Sequence, residues 1–306
     1  MILLLTGPND FAVRRALDKV VADYLSKNTA HAIDRIDGEA FDAVRLPDLL
    51  QGMSLFARER LVVLRNAGRN KQLWEAMAGY IEGVPEEITF VVVDSAPDKR
   101  TRTYKQLQKH GELRNFAELG EGELVRWAVE EAKALGAELD VRTAHYLVRQ
   151  VGVDQWRLYT ELQKLTGYSN HITTDSIDQL IEANPRVSAF ELLDAVLGGD
   201  EVKTYQLLAR LKASEDPYKL FGLLISQIQT LALVVTAGGK SADVVAKEGG
   251  IHPFVVRKMQ PLTRRIRYSQ LQDIIKIVAK TDMQLKSTGV DPWVLLGQCL
   301  GKIAAH

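Results

Sequence analysis

Four candidate strands, three of them short apolar runs, separated by stretches that repeat their apolar residues every three or four positions, restrict the first part of this chain more than any other feature. The candidates are the apolar runs Ile2-Leu3-Leu4-Leu5, Leu61-Val62-Val63-Leu64 and Ile88–Val93, with a further strand around residues 33–36. Between them, Val13, Ala16, Leu17, Val20, Val21 and Tyr24, then Leu46, Leu49, Leu50 and Met53, then Leu73, Trp74, Met77 and Ile81 each line one face of a helix, with Asn9 or Asp10 capping the first. Strand and helix in strict alternation predict an α/β domain whose parallel sheet is covered on both faces.

Beyond Phe116-Ala117-Glu118-Leu119-Gly120 no further strand is expected. Helices run through Leu124 to Leu135, Ala144 to Val151, Trp156 to Leu165 and Ile177 to Ile181. Asn184-Pro185 interrupts this pattern. After it, helical segments are predicted over residues 190–197, 202–211, 218–235, near Val255, 271–285 and 293–303. A chain of 306 residues exceeds what one hydrophobic core serves. The expected organisation is therefore an α/β domain over 1–119, a small helical domain over 120–184 and a larger helical domain over 185–306.

The turn after the first strand is where a phosphate-binding loop belongs. Such a loop needs the spacing G-x-x-x-x-G-K-[ST], with glycines for close backbone approach, a lysine for the phosphates and a hydroxyl for magnesium. Here it reads Gly7-Pro8-Asn9-Asp10-Phe11-Ala12-Val13-Arg14. Ala12 and Val13 replace the second glycine and the lysine, Arg14 replaces the hydroxyl, and Asp10 sets negative charge against a phosphate. No cofactor is expected.

Lysine plus arginine equals aspartate plus glutamate at 39 each, so no global charge attracts nucleic acid or an anionic membrane. The single cysteine, Cys299, sits in an apolar helix pattern and excludes an internal disulfide. His31, His110, His145, His171, His252 and His306 are scattered without metal-ligand spacing, so no metal site and no catalytic residue is expected. The first strand lacks the basic leader of a secretory signal, and the longest apolar helix carries Ser226, Gln227, Gln229 and Thr230. A cytoplasmic protein without a membrane span is expected. Asp94, at the end of the fourth run, reads as a strand-end or capping residue. Lys99, Arg100, Arg102, Lys105 and Lys109 read as a solvated helix face. Arg264, Arg265 and Arg267, preceded by Arg257 and Lys258, form either a solvated inter-helix segment or a contact to nucleic-acid phosphates.

Residues 51–58, Gln-Gly-Met-Ser-Leu-Phe-Ala-Arg, join the second helix to the third strand. A connection there should be short and polar, yet it carries Met53, Leu55 and Phe56. Either these side chains fold back onto the core, or they form an apolar patch offered to a partner protein.

The segment from Gln51 to Ala57 resembles the Gln-x-x-Ser-Leu-Phe segment of the bacterial DNA polymerase III clamp-loader delta subunits. Phe190-Glu191-Leu192-Leu193-Asp194-Ala195, His252-Pro253-Phe254-Val255-Val256 and Asp282-Met283-Gln284-Leu285-Lys286-Ser287-Thr288-Gly289 are similar to further segments of that family, in the same order along nearly the whole chain. The resemblance implies an AAA+-like first domain that has lost ATP binding, a helical lid and a helical collar that joins other loader subunits in a hetero-pentamer. It implies that Leu55 and Phe56, supported by Met53 and Gln51, enter a hydrophobic pocket of the ring-shaped sliding clamp and hold one interface open for loading onto primed DNA. It implies an accessory subunit of a DNA-directed DNA polymerase rather than an enzyme on its own. Some family members carry an aromatic residue that meets the primer–template end where this chain has His252 and Phe254. An ATP-hydrolysing AAA+ enzyme is disfavoured by the missing lysine and the lack of an Asp-Glu pair after Leu64. A free-standing DNA-binding module is disfavoured by zero net charge.

Overall fold

The computed structural model describes residues 1–51, 59–182, 185–251 and 253–305. They form two compact units, Met1–Leu119 and Gly120–His306.

The first unit runs β1 (Ile2–Thr6), α1 (Asp10–Leu25), β2 (Ile33–Asp37), α2 (Leu46–Gln51), β3 (Arg60–Arg65), α3 (Lys71–Met77), β4 (Ile88–Val93), α4 (Arg102–His110) and β5 (Glu112–Asn115). All strands are parallel, in the order β2-β3-β4-β1-β5. Leu4 pairs with Val92 and Leu64 pairs with Val92 from the other side, so the three apolar strands lie together at the centre. Side chains alternate between the faces of a strand, which sorts the apolar runs into two cores. Ile2, Leu4, Val62, Leu64, Phe90 and Val92 meet Leu46, Leu49 and Leu50 of α2, Leu73, Trp74 and Met77 of α3, and Tyr104 and Leu107 of α4. Leu3, Leu5, Leu61, Val63 and Val91 meet Leu17 and Tyr24 of α1 on the opposite face. Each of these large side chains contributes about 1.5–3 kcal/mol through burial.

Two differences from the sequence reading concern this unit. β5 was not expected: its sequence Glu-Leu-Arg-Asn has no apolar run, and only Leu113 packs on the core, while the pairing of Leu3 with Glu112 through Thr6 with Asn115 fixes it against β1. A strand at the sheet edge needs only one inward side chain, which leaves little periodicity to read. The third helix also stops earlier than its stripe suggests, because α3 ends at Met77 and Ile81 is buried from a separate 3-10 turn, Ile81–Gly83. Asn9 is the cap of α1, its side-chain oxygen accepting from the Ala12 amide at 2.9 Å.

The second unit is helical: α5 (Glu121–Ala134), α6 (Val141–Val151), α7 (Gln155–Tyr168), α8 (Thr174–Leu180), α9 (Pro185–Leu197), α10 (Glu201–Ser214), α11 (Pro217–Thr236), α12 (Ala242–Gly249), α13 (Pro253–Thr263), α14 (Tyr268–Ser287) and α15 (Pro292–Ala304). Leu124, Val125 and Ala128 of α5, Leu147 and Val148 of α6, and Leu158, Leu162 and Leu165 of α7 are all buried. Leu192, Leu193, Leu224, Ile228, Ile274, Leu296 and Cys299 anchor a larger core from α9, α11, α14 and α15. Thr173 caps α8, its hydroxyl accepting from the Ser176 amide at 3.2 Å. α9 starts well before Phe190, with Pro185 in its first turn, where a missing amide costs nothing; Asn184 lies outside the described residues. α12 was not expected as a helix of its own. It packs Val245 and Ala246 against Val256 of α13.

α11 is the one helix among the described residues long and apolar enough to cross a membrane. It places Leu220, Phe221, Leu224, Ile228 and Leu231 inside the helical unit instead. Burial likewise pushes the Cys299 thiol above its ordinary range.

Candidate functional site

Because every strand of the sheet points the same way, its two ends hold different loops. The turn from Thr6 to Asn9 leaves the carboxyl end of β1, while the connection from α2 feeds the amino end of β3. The loop after β1 and Glu59, which leads into β3, therefore lie at opposite ends of the sheet.

At the first end, Gly7 has φ +114, a conformation that favours glycine, and a Cβ there would stand 2.2 Å from the Phe116 carbonyl oxygen. The chain leaving β5 thus lies directly across the loop. Its backbone takes up the loop's hydrogen-bonding groups: the Asn9 amide donates to Phe116 O at 3.2 Å, the Phe116 amide to Thr6 O at 2.8 Å, and Asn9 Nδ2 to Ala117 O at 3.2 Å. The Gly7 amide donates to Ser95 O at 3.2 Å, and the Ala12 amide to the Asn9 side chain at 2.9 Å. An anion site at a helix start works by offering such amides to the ligand. These amides already have partners.

The side chains agree with the backbone. Val13, at the lysine position of a phosphate loop, packs against the core formed by α1 and the sheet. Arg14 turns along α1 to Asp18, Nε to Oδ1 at 3.0 Å. Asp10 is exposed in the first turn of α1. Asp94 is 8% exposed and structural: its Oδ2 accepts from the Gly68 amide at 2.8 Å and its Oδ1 from the Ala96 amide at 3.2 Å, tying the turn after β3 to that after β4.

Met53, Leu55 and Phe56 lie outside the described residues, and the structure defines the residues on either side of 52–58. α2 commits Leu46, Leu49 and Leu50 to the core and ends at an exposed Gln51, whose side-chain nitrogen is 4.0 Å from where a Cβ on Gly83 would be. On the return, the Glu59 carbonyl oxygen accepts from the Tyr24 hydroxyl at 2.7 Å, and Glu59 Oε2 accepts from Asn28 Nδ2 at 3.0 Å. Arg60 then pairs with Asp34, Nη2 to Oδ2 at 2.7 Å, with the Arg60 side chain 16% exposed. Tyr24 sits in the apolar stripe of α1, so its role as a hydroxyl donor to a residue 35 positions away had no sequence signal. Burial holds its phenol above the ordinary pKa, helped by the Glu59 and Asp34 charges and opposed by Arg60.

The basic segment between α13 and α14 is mixed. Arg265 Nη1 pairs with Asp194 Oδ1 at 3.4 Å, Ile266 packs on the helical core, and Arg264 and Arg267 are exposed. Arg257 pairs with Asp243 at 2.8 Å, and Lys258 lies over the Phe190 ring at 4.1 Å. His252 lies outside the described residues. Lys99, Arg100, Arg102, Lys105 and Lys109 are all exposed on or just before α4, and Arg100 pairs with Asp98, whose carboxyl it holds at about 2. Among the described residues, no three His, Cys, Asp or Glu side chains are grouped to hold a metal ion.

Two family profiles match this chain. The one described as "DNA polymerase III, delta subunit" covers residues 3–116, and the one described as "DNA polymerase III delta subunit, C-terminal domain" covers residues 186–303. The chain is 25% identical over 282 residues to "DNA polymerase III subunit delta" of Bacillus subtilis, spanning 86% of this chain and 79% of that protein. Its fold matches the solved "Bacillus subtilis DNA clamp loader delta protein (YqeN)" with a TM-score of 0.82 at 20% identity, over 100% of this chain and 95% of that one. One family accounts for the α/β unit and for the C-terminal helices alike, in the order in which they occur: the chain belongs to the DNA polymerase III delta subunits, the delta subunits of the clamp loader.

Proposed function

We propose that this subunit binds the sliding clamp (the beta subunit) through Leu55 and Phe56, supported by Met53 and Gln51, and holds one interface of the ring open for loading onto primed DNA. The observation that carries this reading is the way the chain is fixed on either side of that segment. α2 places Leu46, Leu49 and Leu50 in the core and β3 places Leu61, Val62, Val63 and Leu64 there, so both flanks of the segment are committed to the core. Two large apolar side chains between such flanks suit a pocket on a partner.

The subunit binds no ATP of its own. The occupied amides of the Gly7 loop and the valine at position 13 support that reading. Residues 120–184 act as the lid and 185–306 as the collar through which the chain joins other loader subunits in a hetero-pentamer, in the cytoplasm. Arg264, Arg265 and Arg267, with His252, are the residues through which the collar could meet DNA phosphates; a salt-dependent loss of DNA affinity in the assembled loader on changing Arg264 and Arg267 to Ala tests that contact.

Clamp binding is tested by titrating the sliding clamp from the same source with the full chain and with Leu55→Ala/Phe56→Ala. Loss of binding by a folded variant supports the reading, and undiminished binding removes it.

A further inference from the structure

Residues 99–111 contain five cations and no carboxylate, in a chain whose charges balance at 39 of each sign. α4 sorts them by face. Tyr104 and Leu107 are buried in the core, while Arg102, Lys105 and Lys109, spaced i, i+3 and i+7, share the exposed face, with Lys99 exposed just before the helix. Arg100 pairs with Asp98, Nη2 to Oδ2 at 2.9 Å, and so occupies the adjacent acid. No described ion pair of this unit includes Lys99, Arg102, Lys105 or Lys109, and Glu82, in the 3-10 turn packed against α4, pairs with none of them. The arrangement does not favour the helix itself. Like charges three and four residues apart repel, and Arg102 in the first turn opposes the helix dipole; only Lys109, in the last turn, stands where the dipole favours a cation.

We propose that this face of α4 is a track for the phosphate backbone of nucleic acid, engaged without regard to sequence. Its dimensions fit. A helix rises about 1.5 Å per residue, so Arg102 to Lys109 spans about 10 Å, and one strand of a duplex offers a phosphate about every 3.4 Å along its axis, hence about three over that length. The exposed large apolar side chains described in this unit are Met1, Leu25 and Val44, none of them on α4. A protein interface centres on aromatic or aliphatic anchors and keeps its charges at the rim, so a face of cations without an anchor suits phosphates better than a protein partner. The aromatic ring of α4, Tyr104, is buried, which leaves nothing on this face for a base to stack on. Contacts of this kind hold the backbone and read no bases. The stripe belongs to the α/β unit, whereas Arg264, Arg265 and Arg267 belong to the helical unit, and it does not involve the residues proposed to meet the clamp.

The test titrates the full chain with a labelled DNA duplex of arbitrary sequence between about 50 and 200 mM salt, beside Arg102→Ala/Lys105→Ala and Lys19→Ala/Lys27→Ala. Alanine supports a helix, so the α4 variant keeps its melting temperature. Lys19 and Lys27 are exposed on and just after α1, which packs on the opposite face of the sheet, so the second variant makes the same change in net charge elsewhere. The α4 variant should bind on the order of tenfold more weakly at the low-salt end, and its slope of log affinity against log salt should be shallower by about two. The α1 variant should bind like the wild type, and a duplex of unrelated sequence should give the same values. Equal losses in the two variants would reduce the effect to net charge and overturn the proposal. Wild-type affinity and slope in the α4 variant, or no salt-dependent binding by the wild type, would also overturn it. So would an α4 variant that loses affinity for the sliding clamp while holding the duplex normally, since the stripe would then serve an acidic protein. Leu55→Ala/Phe56→Ala should leave duplex binding unchanged, which keeps this outcome separate from that of the clamp-binding reading.

Discussion

The carbonyl oxygen of Phe116 lies so close to Gly7 that a Cβ on the glycine would stand 2.2 Å away, so the strap following β5 closes the loop that follows β1. Gly7→Ala therefore meets both a steric collision and an unfavourable φ. It should destabilise the chain by about 2–3 kcal/mol, read as a lower urea midpoint with an unchanged slope. The same strap predicts that a fluorescent ATP analogue with magnesium shows no saturable binding. Micromolar binding that responds to Gly7 or Arg14 substitutions would contradict this.

Leu55→Ala/Phe56→Ala should lose about 4 kcal/mol of clamp-binding free energy, about a thousandfold in affinity, with little change in melting temperature. Two core residues would behave in the opposite manner, costing about 5 kcal/mol or more of folding stability. A melting curve beside a clamp titration separates the two.

Clamp binding and ring assembly should be separable along the chain. A fragment of residues 1–184 should bind the clamp but fail to enter the loader ring in gel filtration. Incorporation of that fragment equal to that of the full chain would place the assembly surface before position 185.

Lys258 offers a pH signature. Its ammonium lies over the Phe190 ring and is partly buried, and burial lowers its pKa, opposed by the charges of Glu191, Glu121 and Asp194 and reinforced by Arg149. A lysine whose folded pKa is depressed favours the folded state in its neutral form. Its contribution is present above the ordinary 10.5 and is lost as pH falls through the lowered folded value. Lys258→Met should thus remove a stability gain that the wild type shows between neutral pH and the ordinary 10.5, measured as the difference in urea midpoint between the two proteins at each pH. An equal difference at both ends of that window would rule out a burial-driven shift.

How far the fold could be read from sequence depended on how many side chains each element buries. β3 and β4 announce themselves through Leu61-Val62-Val63-Leu64 and Phe90-Val91-Val92, all buried. β5 buries almost nothing, and α12 is short with only Val245 and Ala246 inside, so neither shows a period. The degenerate loop was legible as missing chemistry at Ala12 and Val13. That Phe116 crosses it was not, because the contact joins residues about a hundred positions apart and is made by main-chain atoms, which leave no mark on side-chain choice. The Tyr24–Glu59 contact was hidden for the same reason on one side, and because a tyrosine in an apolar stripe reads as a hydrophobe.

The charged character of the outer strands has one more consequence. β2, Ile-Asp-Arg-Ile-Asp, and β5, Glu-Leu-Arg-Asn, bound a sheet whose inner strands are almost wholly aliphatic. Glu112 and Arg114 on β5 pair with each other at 2.7 Å, and Asp34 and Arg60 do so beside β2. A strand from another copy that tried to extend the sheet would have to desolvate these ions at either border. Copies of this chain are thereby discouraged from joining strand to strand into amyloid-like stacks.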